Sequence, residues 1–497
     1  MHDLLIIGGG INGCAIARES ALLGLDVRLV ERDDLASHTS SASTKLIHGG
    51  LRYLEQYEFA LVSEALAERD RLVAAAPHLI HPMRFVLPHE HAVRPWWIVR
   101  LGLHLYDWIG GGTSLEKSRG LRSDDALYGA PLKQAGKGFV YSDAWVDDAR
   151  LTLANAIDAA QHGAAICTRT ELIAARRDGD CWIATLSDGS SVTARAIVNA
   201  AGPWVAALLG RLGIEAASKV RLVKGSHIVV PRLFEGEHAY ILQQPDRRIV
   251  FAIPYEGTFT AIGTTDVPVA APEDAVIDAA EVAYLCDATN RYFREQIAPG
   301  DIVATWSGVR PLYDDGTADA SQVTRDYVLD LDDDGAPLLS IFGGKITTAR
   351  HLAEEAVARL APSLAFDAHP VTRARVFPGG AIAEFDRFLD QVRAAYPFLG
   401  DVQSQRMARA YGSDLHRMLE GVDDAAGMGT ALGAGLTEIE LRWMVEREWA
   451  TKLEDVLWRR SKLGLHVTDA ERATIAAALS AIRDEAAVSA DRQPQPD

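Results

Sequence analysis

Residues 2–35 read HDLLIIGGGINGCAIARESALLGLDVRLVERDDL, a pattern that predicts a strand, a glycine turn, a helix and a second strand. The run from Leu4 to Ile7 is continuously apolar, as expected of a central strand in a parallel sheet. Three glycines follow it with the spacing G-x-G-x-x-G, namely Gly8, Gly10 and Gly13. This order of elements is typical of the first unit of a Rossmann-like α/β sheet.

The second strand, from Asp26 to Val30, ends in an acid, Glu31. Glycines let a pyrophosphate approach the N-terminus of the helix, and an acid at this position accepts hydrogen bonds from an adenosine ribose. The alternative is a glycine turn that binds no nucleotide. Because the turn lies between strand and helix and the acid ends the second strand, we predict a dinucleotide site. The acid does not separate NAD from FAD.

Composition limits the other possibilities. The chain has 497 residues, too many for one simple core, so we expect two or three domains. Its 50 basic and 68 acidic residues give a net charge of −18, which argues against nucleic-acid binding. The four cysteines form no C-x-x-C pair, so we expect a reducing compartment and no cysteine-ligated metal. No apolar run reaches the roughly 20 residues that cross a bilayer, and the first strand begins at Asp3. We expect a soluble or peripheral protein without a signal or transit peptide.

Later segments extend the pattern. Residues 194–204, ARAIVNAAGPW, predict a strand that returns to the nucleotide-binding sheet, and residues 337–357 repeat the order strand, glycine pair, helix. Residues 219–266 alternate like antiparallel strands, and such a sheet, inserted into a nucleotide fold, usually carries a substrate site. After about residue 370 the pattern is largely helical.

Nine motifs within residues 3–350 resemble, in the same order, those of the FAD-dependent glycerol-3-phosphate dehydrogenases, a family of D-amino-acid-oxidase-like flavoproteins. They are IIGGGINGCAIA, SSASTKLIHGGLRYLE, YSDAWVDDARL, VNAAGPWV, KGSHIVVP, AIGTTD, SGVRPL, TRDY and FGGKITT. The C-terminal part matches more loosely, through FPGG and LRWMVEREWA. The resemblance implies oxidation of sn-glycerol 3-phosphate to dihydroxyacetone phosphate, with electrons passed through FAD to a membrane quinone. It also implies a cytoplasmic homodimer that is peripherally associated with the inner (cytoplasmic) membrane.

The expected fold class is α/β: a Rossmann-like FAD-binding domain with an inserted antiparallel-sheet substrate domain, plus a C-terminal helical domain. The expected boundaries are 1–75, 141–218 and 301–370 for the FAD-binding domain, 76–140 for a substrate or cap region, 219–300 for the antiparallel cap domain, 371–490 for the helical domain and 491–497 for a disordered tail. Within the helical domain, Thr437 and Glu440 predict a capping box at a helix start.

The resemblance also implies which residues contact FAD. The polar run 40–54 would follow the second strand, offer its hydroxyls along the pyrophosphate and reach the isoalloxazine ring at its glycine pair. The full predicted set is Gly8, Gly10, Ile11, Asn12, Gly13, Glu31, Ser41, Ser43, Thr44, His48, Gly49, Gly50, Leu172, Ala201, Gly202, Gly308, Gly344, Lys345, Ile346 and Thr347.

Removing a hydride from C2 of the implied substrate requires a clamp for the phosphate dianion. Arginine suits this task because its planar fork makes paired hydrogen bonds to phosphate oxygens. We predict that Arg52 and Arg310 bind the phosphate, with Tyr53 as a neutral donor and Thr265 within reach of the substrate. A surface ion pair is the alternative for each arginine. Asp266 is expected to be structural.

The reaction also requires a base and a positive charge near the reduced flavin. Lys345 follows a glycine pair at a predicted helix start, where a cation opposes the helix dipole. This conflict favours a site near the phosphate or the flavin pyrimidine ring over a solvated lysine. His227 is the predicted base because the pKa of histidine suits proton transfer, although a buried structural histidine is equally expected. His48 is the rival base, and an arginine that only polarises the oxygen stays open. The predicted catalytic residues are His227, Arg310 and Lys345.

A membrane contact is predicted separately. Residues 94–111, RPWWIVRLGLHLYDWIGG, form a tryptophan-rich apolar helix pattern with one polar stripe of Arg100, His104 and Asp107. Such a helix can lie in the bilayer interface, where tryptophan is favoured, but is too short and polar to cross. A helix buried against the sheet or a dimer partner is an equal alternative.

Four other functions share parts of these patterns. A glycerol-3-phosphate oxidase would have the same sites but reduce oxygen. A multi-subunit anaerobic dehydrogenase would add a cysteine-rich cluster region, which the dispersed cysteines disfavour. An amine or amino-acid oxidase suits two arginines and Lys345 less well than a phosphate dianion does. A non-catalytic flavoprotein sensor or scaffold would not account for the substrate motifs.

Overall fold

The protein, in a computed structural model, is described over residues 1–51, 57–92, 94–109, 115–122, 124–134, 136–215, 220–313 and 327–491. The strands in these residues are β1 (His2–Ile7), β2 (Val27–Val30), β3 (Leu46–Ile47), β4 (Ile80–Pro88), β5 (Arg119–Gly120), β6 (Gly138–Val146), β7 (Ala165–Cys167), β8 (Leu172–Asp178), β9 (Cys181–Leu186), β10 (Ser191–Asn199), β11 (Val220–Pro231), β12 (Ala239–Gln243), β13 (Ile249–Tyr255), β14 (Phe259–Gly263), β15 (Val267–Pro268), β16 (Ala304–Tyr313), β17 (Val328–Asp332), β18 (Leu338–Phe342), β19 (Ala431–Gly433) and β20 (Leu436–Thr437). The α-helices are α1 (Ile11–Leu22), α2 (Phe59–Ala75), α3 (Trp96–Ile109), α4 (Ala126–Gly129), α5 (Asp148–Gln161), α6 (Val205–Arg211), α7 (Ala279–Asn290), α8 (Ala349–Leu364), α9 (Phe385–Ala395), α10 (Gly400–Tyr411), α11 (Leu415–Met418), α12 (Glu438–Glu448) and α13 (Asp469–Asp491).

The first sheet has eight strands, and its main path runs β17-β18-β10-β1-β2-β7. Its central pairs, β18 with β10, β10 with β1, β1 with β2 and β2 with β7, are all parallel. The apolar run of β1 is buried, as the sequence predicts. On one face, α1 contacts both α5 and α8, and the small side chains of Ala15, Ala17 and Ala21 are buried there. The predicted order of strand, glycine turn, helix and strand is confirmed.

The second sheet has ten strands, most of them antiparallel, with the main path β15-β11-β14-β13-β12-β4-β6-β3. Its longest pairing joins β11 to β16, from Val220 opposite Tyr313 to Val229 opposite Ala304. The sheet also takes in β4 and β6, which come from residues before the inserted segment predicted at 219–300. The strand β16 pairs with β11 in this sheet as well, although it lies in residues 301–370, which were predicted to belong to the FAD-binding domain.

The C-terminal part, from α9 to α13, forms its own core around Met407, Leu441 and Met444. The helix α12 begins after Thr437, but the predicted capping box is not formed. The buried Glu440 carboxylate instead accepts hydrogen bonds from Arg406 and Tyr411. The helix α13 ends at Asp491, the first residue of the predicted tail, and residues 492–497 lie outside the described residues.

Across the described ranges we find no helix that is both long and apolar enough to span a bilayer. The predicted fold class, a Rossmann-like sheet combined with an antiparallel sheet and a helical C-terminal part, is confirmed.

Candidate active site

The carboxyl ends of four parallel strands lie at one edge of the first sheet, and predicted cofactor residues follow each end. β1 leads into Gly8, β2 into Glu31, β10 into the turn Ala201–Gly202, and β18 into Gly343 and Gly344. In an open α/β sheet, ligands bind in the crevice outside these ends. The fold therefore brings together predicted cofactor residues that are far apart in the sequence.

The first glycine turn lets backbone segments meet without side chains between them. A Cβ on Gly8 would lie 2.5 Å from the Ala200 carbonyl oxygen, and one on Gly13 would lie 2.0 Å from the Gly8 oxygen. The turn opens α1, whose first amide, Ile11 N, donates a 2.9 Å hydrogen bond to Ser40 Oγ. Ser40, the first residue of the polar run predicted to offer its hydroxyls along the pyrophosphate, therefore lies at the N-terminus of α1, where helix amides can bind phosphate oxygens.

Glu31 is buried against the same turn. Its Oε2 accepts a 2.6 Å hydrogen bond from Gly9 N, and its Oε1 accepts one of 2.8 Å from Asp33 N. Burial raises the pKa of this carboxyl, and the two amide hydrogen bonds oppose the rise. The buried Leu172 follows Thr170, whose amide donates to the Glu31 carbonyl oxygen at 2.8 Å. Glu31 and Leu172, both predicted to contact FAD, therefore lie close to each other.

The second glycine turn faces the first one. Gly343 and Gly344 have φ values of +84° and +98°, a region that favours glycine. Asn12 Nδ2 donates to the Gly343 carbonyl oxygen at 3.2 Å, and a Cβ on Gly344 would lie 2.7 Å from that nitrogen. Asn12 Oδ1 is buried and has no hydrogen-bond partner among the described residues.

Three predicted residues follow this second turn. Lys345 is half-buried at the N-cap of a short 3-10 turn, Ile346–Thr348. Ile346 packs in the same apolar cluster as Ile11 and Ile47, and Thr347 is buried. Both glycine turns and the strand β3 therefore meet at one end of the crevice.

The strip that precedes β3 lies between the two sheets. Thr39 Oγ1 donates to the Val309 carbonyl oxygen at 2.7 Å, and a Cβ on Gly308 would lie 3.0 Å from the Ala42 Cβ. Of the predicted hydroxyls, Ser41 Oγ donates to the His38 carbonyl oxygen at 3.3 Å. Ser43 Oγ donates to Asp148 Oδ2 at 2.7 Å, which directs this hydroxyl towards α5.

Lys45, for which no role was predicted, holds this strip in place. Its buried ammonium donates to Asp148 Oδ1 at 2.7 Å and to the Ser41 carbonyl oxygen at 3.0 Å. The strip then reaches His48, whose Nδ1 accepts a 3.1 Å hydrogen bond from Gly50 N. The predicted Arg52 and Tyr53 lie outside the described residues.

His227 is buried on β11 with its ring stacked on Trp306, the centroids 4.9 Å apart and the planes 15° apart. Its Nε2 lies 3.1 Å from Thr44 Oγ1, while its Nδ1 has no hydrogen-bond partner in the part of the chain that the structure describes. Burial holds the pKa of this imidazole well below its usual range, and the charges of Lys45 and Arg310 add to the effect. The ring is therefore neutral at physiological pH.

Arg310 lies on β16, in register with Val223 of β11. Its Nη1 pairs with Asp266 Oδ1 at 2.9 Å, and its Nη2 donates to the Thr265 carbonyl oxygen at 3.1 Å. The Thr265 hydroxyl itself is buried and donates to Glu281 Oε1 at 2.6 Å. The predicted Thr265 thus contacts Arg310 through its backbone, and its side chain serves the structure of the cap.

Two glycines that the sequence analysis missed make room for these side chains. A Cβ on Gly225 would lie 2.3 Å from Arg310 Nη2, and one on Gly263 would lie 2.0 Å from the His227 ring. Glycine inside a strand often marks close approach of another group, so their position in the predicted strands was the available signal.

Comparison with known proteins identifies the family of the chain. Residues 3–350 match the family model described as FAD dependent oxidoreductase. The chain belongs to this family. Residues 370–493 match a second model, the C-terminal domain of alpha-glycerophosphate oxidase. The resemblance inferred from the motifs is confirmed, and the chain is an FAD-dependent oxidoreductase.

Several relatives match almost the whole chain. A D-erythritol 1-phosphate dehydrogenase of Brucella abortus (strain 2308) is 48% identical over 482 residues, covering 95% of this chain and 96% of the relative. A glycerol-3-phosphate dehydrogenase of Pseudomonas aeruginosa is 49% identical, covering 95% and 94%. The aerobic glycerol-3-phosphate dehydrogenase of Escherichia coli (strain K12) is 47% identical, covering 93% and 94%. Among solved structures, a glycerol-3-phosphate dehydrogenase from Bacillus halodurans complexed with FAD has a TM-score of 0.71 at 27% identity, covering 100% of this chain and 97% of the other.

The residues of the crevice fit the FAD that this family uses. The glycine turns have no side chains that would keep a pyrophosphate away from the backbone. The N-terminus of α1 points to the same place. Each carboxylate oxygen of Glu31 can accept a further hydrogen bond beyond those from Gly9 and Asp33, as ribose hydroxyls require. The buried, unpaired Asn12 Oδ1 is an acceptor that the protein does not use. Buried polar atoms are usually paired, so this oxygen is available to accept a hydrogen bond from a donor group of the cofactor.

Proposed function

We propose that the protein oxidises sn-glycerol 3-phosphate to dihydroxyacetone phosphate and passes the electrons to a membrane quinone. The observation that carries this proposal is the identity of 47–49% to three proteins named glycerol-3-phosphate dehydrogenase, over more than nine-tenths of this chain. FAD, when bound, supplies the acceptor for the hydride from C2. The protein must bind the phosphate, orient C2 and take the hydroxyl proton.

Arg310 is the proposed phosphate ligand among the described residues. Asp266, the Thr265 carbonyl and Thr264 Oγ1 fix the direction of its guanidinium, and these three contacts use at most three of its five N–H groups. The remaining donors can make the paired, charge-assisted hydrogen bonds that phosphate oxygens accept. Arg52 and Tyr53 are proposed, from the sequence alone, to complete this clamp, and Lys345 to add positive charge beside it.

His227 is the proposed base, and Nε2 is the atom that would receive the C2 hydroxyl proton. The proton can arrive directly or by way of Thr44 Oγ1, which lies 3.1 Å away. The depressed pKa keeps the imidazole unprotonated at neutral pH, the form that accepts a proton, but it also makes the ring a weaker base. The negative charge of a bound substrate phosphate would raise this pKa towards the working pH. Stacking on Trp306 fixes the plane of the ring.

D-erythritol 1-phosphate is the second candidate substrate, since the dehydrogenase named for it is 48% identical to this chain. Both compounds are polyol phosphates, so an arginine clamp suits either one. The test is anaerobic reduction of the bound flavin, followed as loss of its visible absorbance. Faster bleaching by sn-glycerol 3-phosphate than by an equal concentration of D-erythritol 1-phosphate supports the first proposal. The reverse order favours the second, and no bleaching by either compound contradicts both.

The acceptor needs its own measurement, because an oxidase would share the flavin and substrate sites. An L-α-glycerophosphate oxidase from Mycoplasma pneumoniae has the same fold, with a TM-score of 0.59 at 18% identity. Turnover with a quinone analogue, without a matching yield of hydrogen peroxide in air, is the expected result. Stoichiometric peroxide would establish the oxidase alternative.

A peripheral contact of α3 with the inner membrane would bring the enzyme to its quinone. Two residues of the polar stripe predicted on this helix contact the protein, whereas the third, His104, is exposed: Arg100 donates to Ser118 Oγ at 2.9 Å, and Asp107 accepts from Ser118 N at 2.9 Å. The apolar side chains of Trp97 and Trp108 are 65% and 76% exposed. The exposed apolar face supports an interfacial helix, while the cytoplasmic location and the homodimer are proposed from the resemblance alone.

A further inference from the structure

Tyr106 lies on α3, on the side opposite the exposed tryptophans. Its buried hydroxyl contacts the backbone of Gly49, within the run 40–54 that is predicted to follow the cofactor. Gly49 N donates a 2.8 Å hydrogen bond to Tyr106 Oη. The hydroxyl in turn donates to the Asp143 carboxylate, with oxygen separations of 2.8 and 2.9 Å. The phenol is therefore both acceptor and donor, and it joins α3 to the backbone amide of Gly49.

Asp143 is held firmly at the other end of this link. It is buried on β6, and Arg69 of α2 donates to its Oδ1 at 2.9 Å. Burial raises the pKa of this carboxyl to about 6, and the Arg69 charge opposes the rise. The acceptor that orients the Tyr106 hydroxyl is thus part of a fixed buried pair.

Gly49 is closely packed against the phenol and against Leu66. A Cβ there would lie 2.5 Å from Leu66 Cδ2 and 2.7 Å from Tyr106 Oη, so the backbone is held between α2 and α3. Next along the chain, Gly50 N donates to His48 Nδ1 at 3.1 Å, which fixes the orientation of that imidazole. Ile47, just before this turn, packs with Ile11 and Ile346, which follow the two glycine turns. A shift of Gly49 would therefore be felt at the cofactor crevice.

From this geometry we infer that Tyr106 is a positioning residue, which fixes the Gly49–Gly50 turn and the His48 ring against the flavin. Nothing in the reaction requires the phenol to touch the substrate. Without its hydroxyl, one Asp143 oxygen loses its partner in a buried place, where unpaired groups are costly. Gly49 N loses its acceptor at 2.8 Å and keeps only its interaction with the Asp143 carboxylate. The turn would then move to satisfy them, and the flavin environment would change with it.

The test compares full-length, FAD-loaded wild type with Tyr106→Phe, which removes only the hydroxyl. We expect the variant to keep its FAD, to show shifted visible absorption bands of the flavin, and to exchange the amides of residues 46–51 faster. We also expect kcat for sn-glycerol 3-phosphate to fall about tenfold, with KM changed less than about twofold. Tyr141→Phe is the matched control, because Tyr141 is buried edge-on beside Tyr106 and carries the same hydroxyl. It should leave the spectrum and the exchange unchanged.

A wild-type spectrum, exchange rate and kcat in Tyr106→Phe would overturn the inference. If that variant loses FAD or fails to fold, Asp143→Asn tests the same link from its other end, and an unchanged spectrum there would overturn it. Full exposure of the Gly49 amide to exchange in the wild type would do so without any variant. Only the kinetic readout rests on the proposed function. A wild type that glycerol 3-phosphate does not bleach contradicts that function, while the spectrum and exchange still decide the role of Tyr106.

Discussion

Arg310 lies directly over Gly225, the residue on the neighbouring strand where a Cβ would come within 2.3 Å of its Nη2. We predict that Gly225→Ala displaces the guanidinium and raises KM for the phosphate substrate about 30-fold, the effect of losing a hydrogen bond to a charged group. FAD content should stay at the wild-type level. Steady-state kinetics measure this effect. Gly120→Ala is the matched control, because Gly120 lies in β5 of the same sheet with open space around it. Equal KM values for the two variants would contradict the role of Arg310.

The pH dependence of kcat should show no loss of activity near pH 6.5 from His227. Its native pKa is held well below the usual value of about 6.5, so the imidazole stays unprotonated as pH falls from 8 to 6. An acid limb of the kcat profile with an apparent pKa near 6.5 would contradict this. His227→Asn should lower kcat by about 10²- to 10⁴-fold with FAD retained. His48→Asn is the comparison, and a larger loss there would assign the base to His48.

Local spacing made the cofactor crevice predictable, whereas the substrate side depends on strand pairing. Gly8, Glu31 and Gly344 lie within two residues of a strand end, so the local sequence pattern is enough to predict them. The contact between Arg310 and Gly225, by contrast, exists only in one pairing register of β11 with β16. A shift of one residue would turn the Arg310 side chain to the other face of the sheet. The sequence of either strand alone does not predict that register.

The same limit explains two residues whose roles changed. Thr265 was expected to reach the substrate, but its hydroxyl is used by Glu281 of α7, an element that sequence spacing does not place beside it. Lys45 had no role in the sequence, yet its buried ammonium pairs with Asp148 of α5, about a hundred residues later in the chain.

Stability at acid pH should depend on His78, which is buried beside α5. Burial lowers the pKa of this imidazole to about 3, and the charges of Arg150 and Arg409 add to the effect. The unfolded chain takes up a proton below about pH 6.5, while the native imidazole stays neutral, so stability falls as the pH falls. Between pH 7 and pH 5 this one group should cost about 2 kcal/mol.

The measurement is the melting temperature of the FAD-loaded protein at pH 7 and at pH 5. The drop should be smaller in His78→Gln, which does not titrate, than in the wild type. His369→Gln replaces an exposed histidine and should keep the wild-type drop. An equal drop in His78→Gln and the wild type would contradict the prediction.

Retention of FAD should require an ion pair from the C-terminal domain. Asp34 is buried three residues after Glu31, and Arg460 Nη2 donates to its Oδ1 at 2.8 Å. Because Ala36 N also donates to the Gly9 carbonyl oxygen, this loop and the first glycine turn move together. We predict that Asp34→Asn raises the dissociation constant for FAD about tenfold, since it leaves a buried guanidinium without its charge partner. Flavin fluorescence on release from the protein measures this. Asp332→Asn, which breaks a partly exposed pair with Arg177, should have little effect. Equal FAD affinities in the two variants would show that the C-terminal domain does not support the site.

Binding to a lipid surface should depend on the exposed face of α3. Trp97 and Trp108 would bury their indole rings at the bilayer interface, so we expect Trp97→Ser combined with Trp108→Ser to lower vesicle binding at least about tenfold. Flotation with neutral phosphatidylcholine vesicles is the measurement, because the net charge of −18 would repel anionic ones and hide the apolar contribution. Val402→Ser is the control, as Val402 is an apolar residue of α10 that is 84% exposed. If the double variant floats like the wild type but its mass by light scattering is halved, the α3 face is a dimer contact instead of a membrane contact.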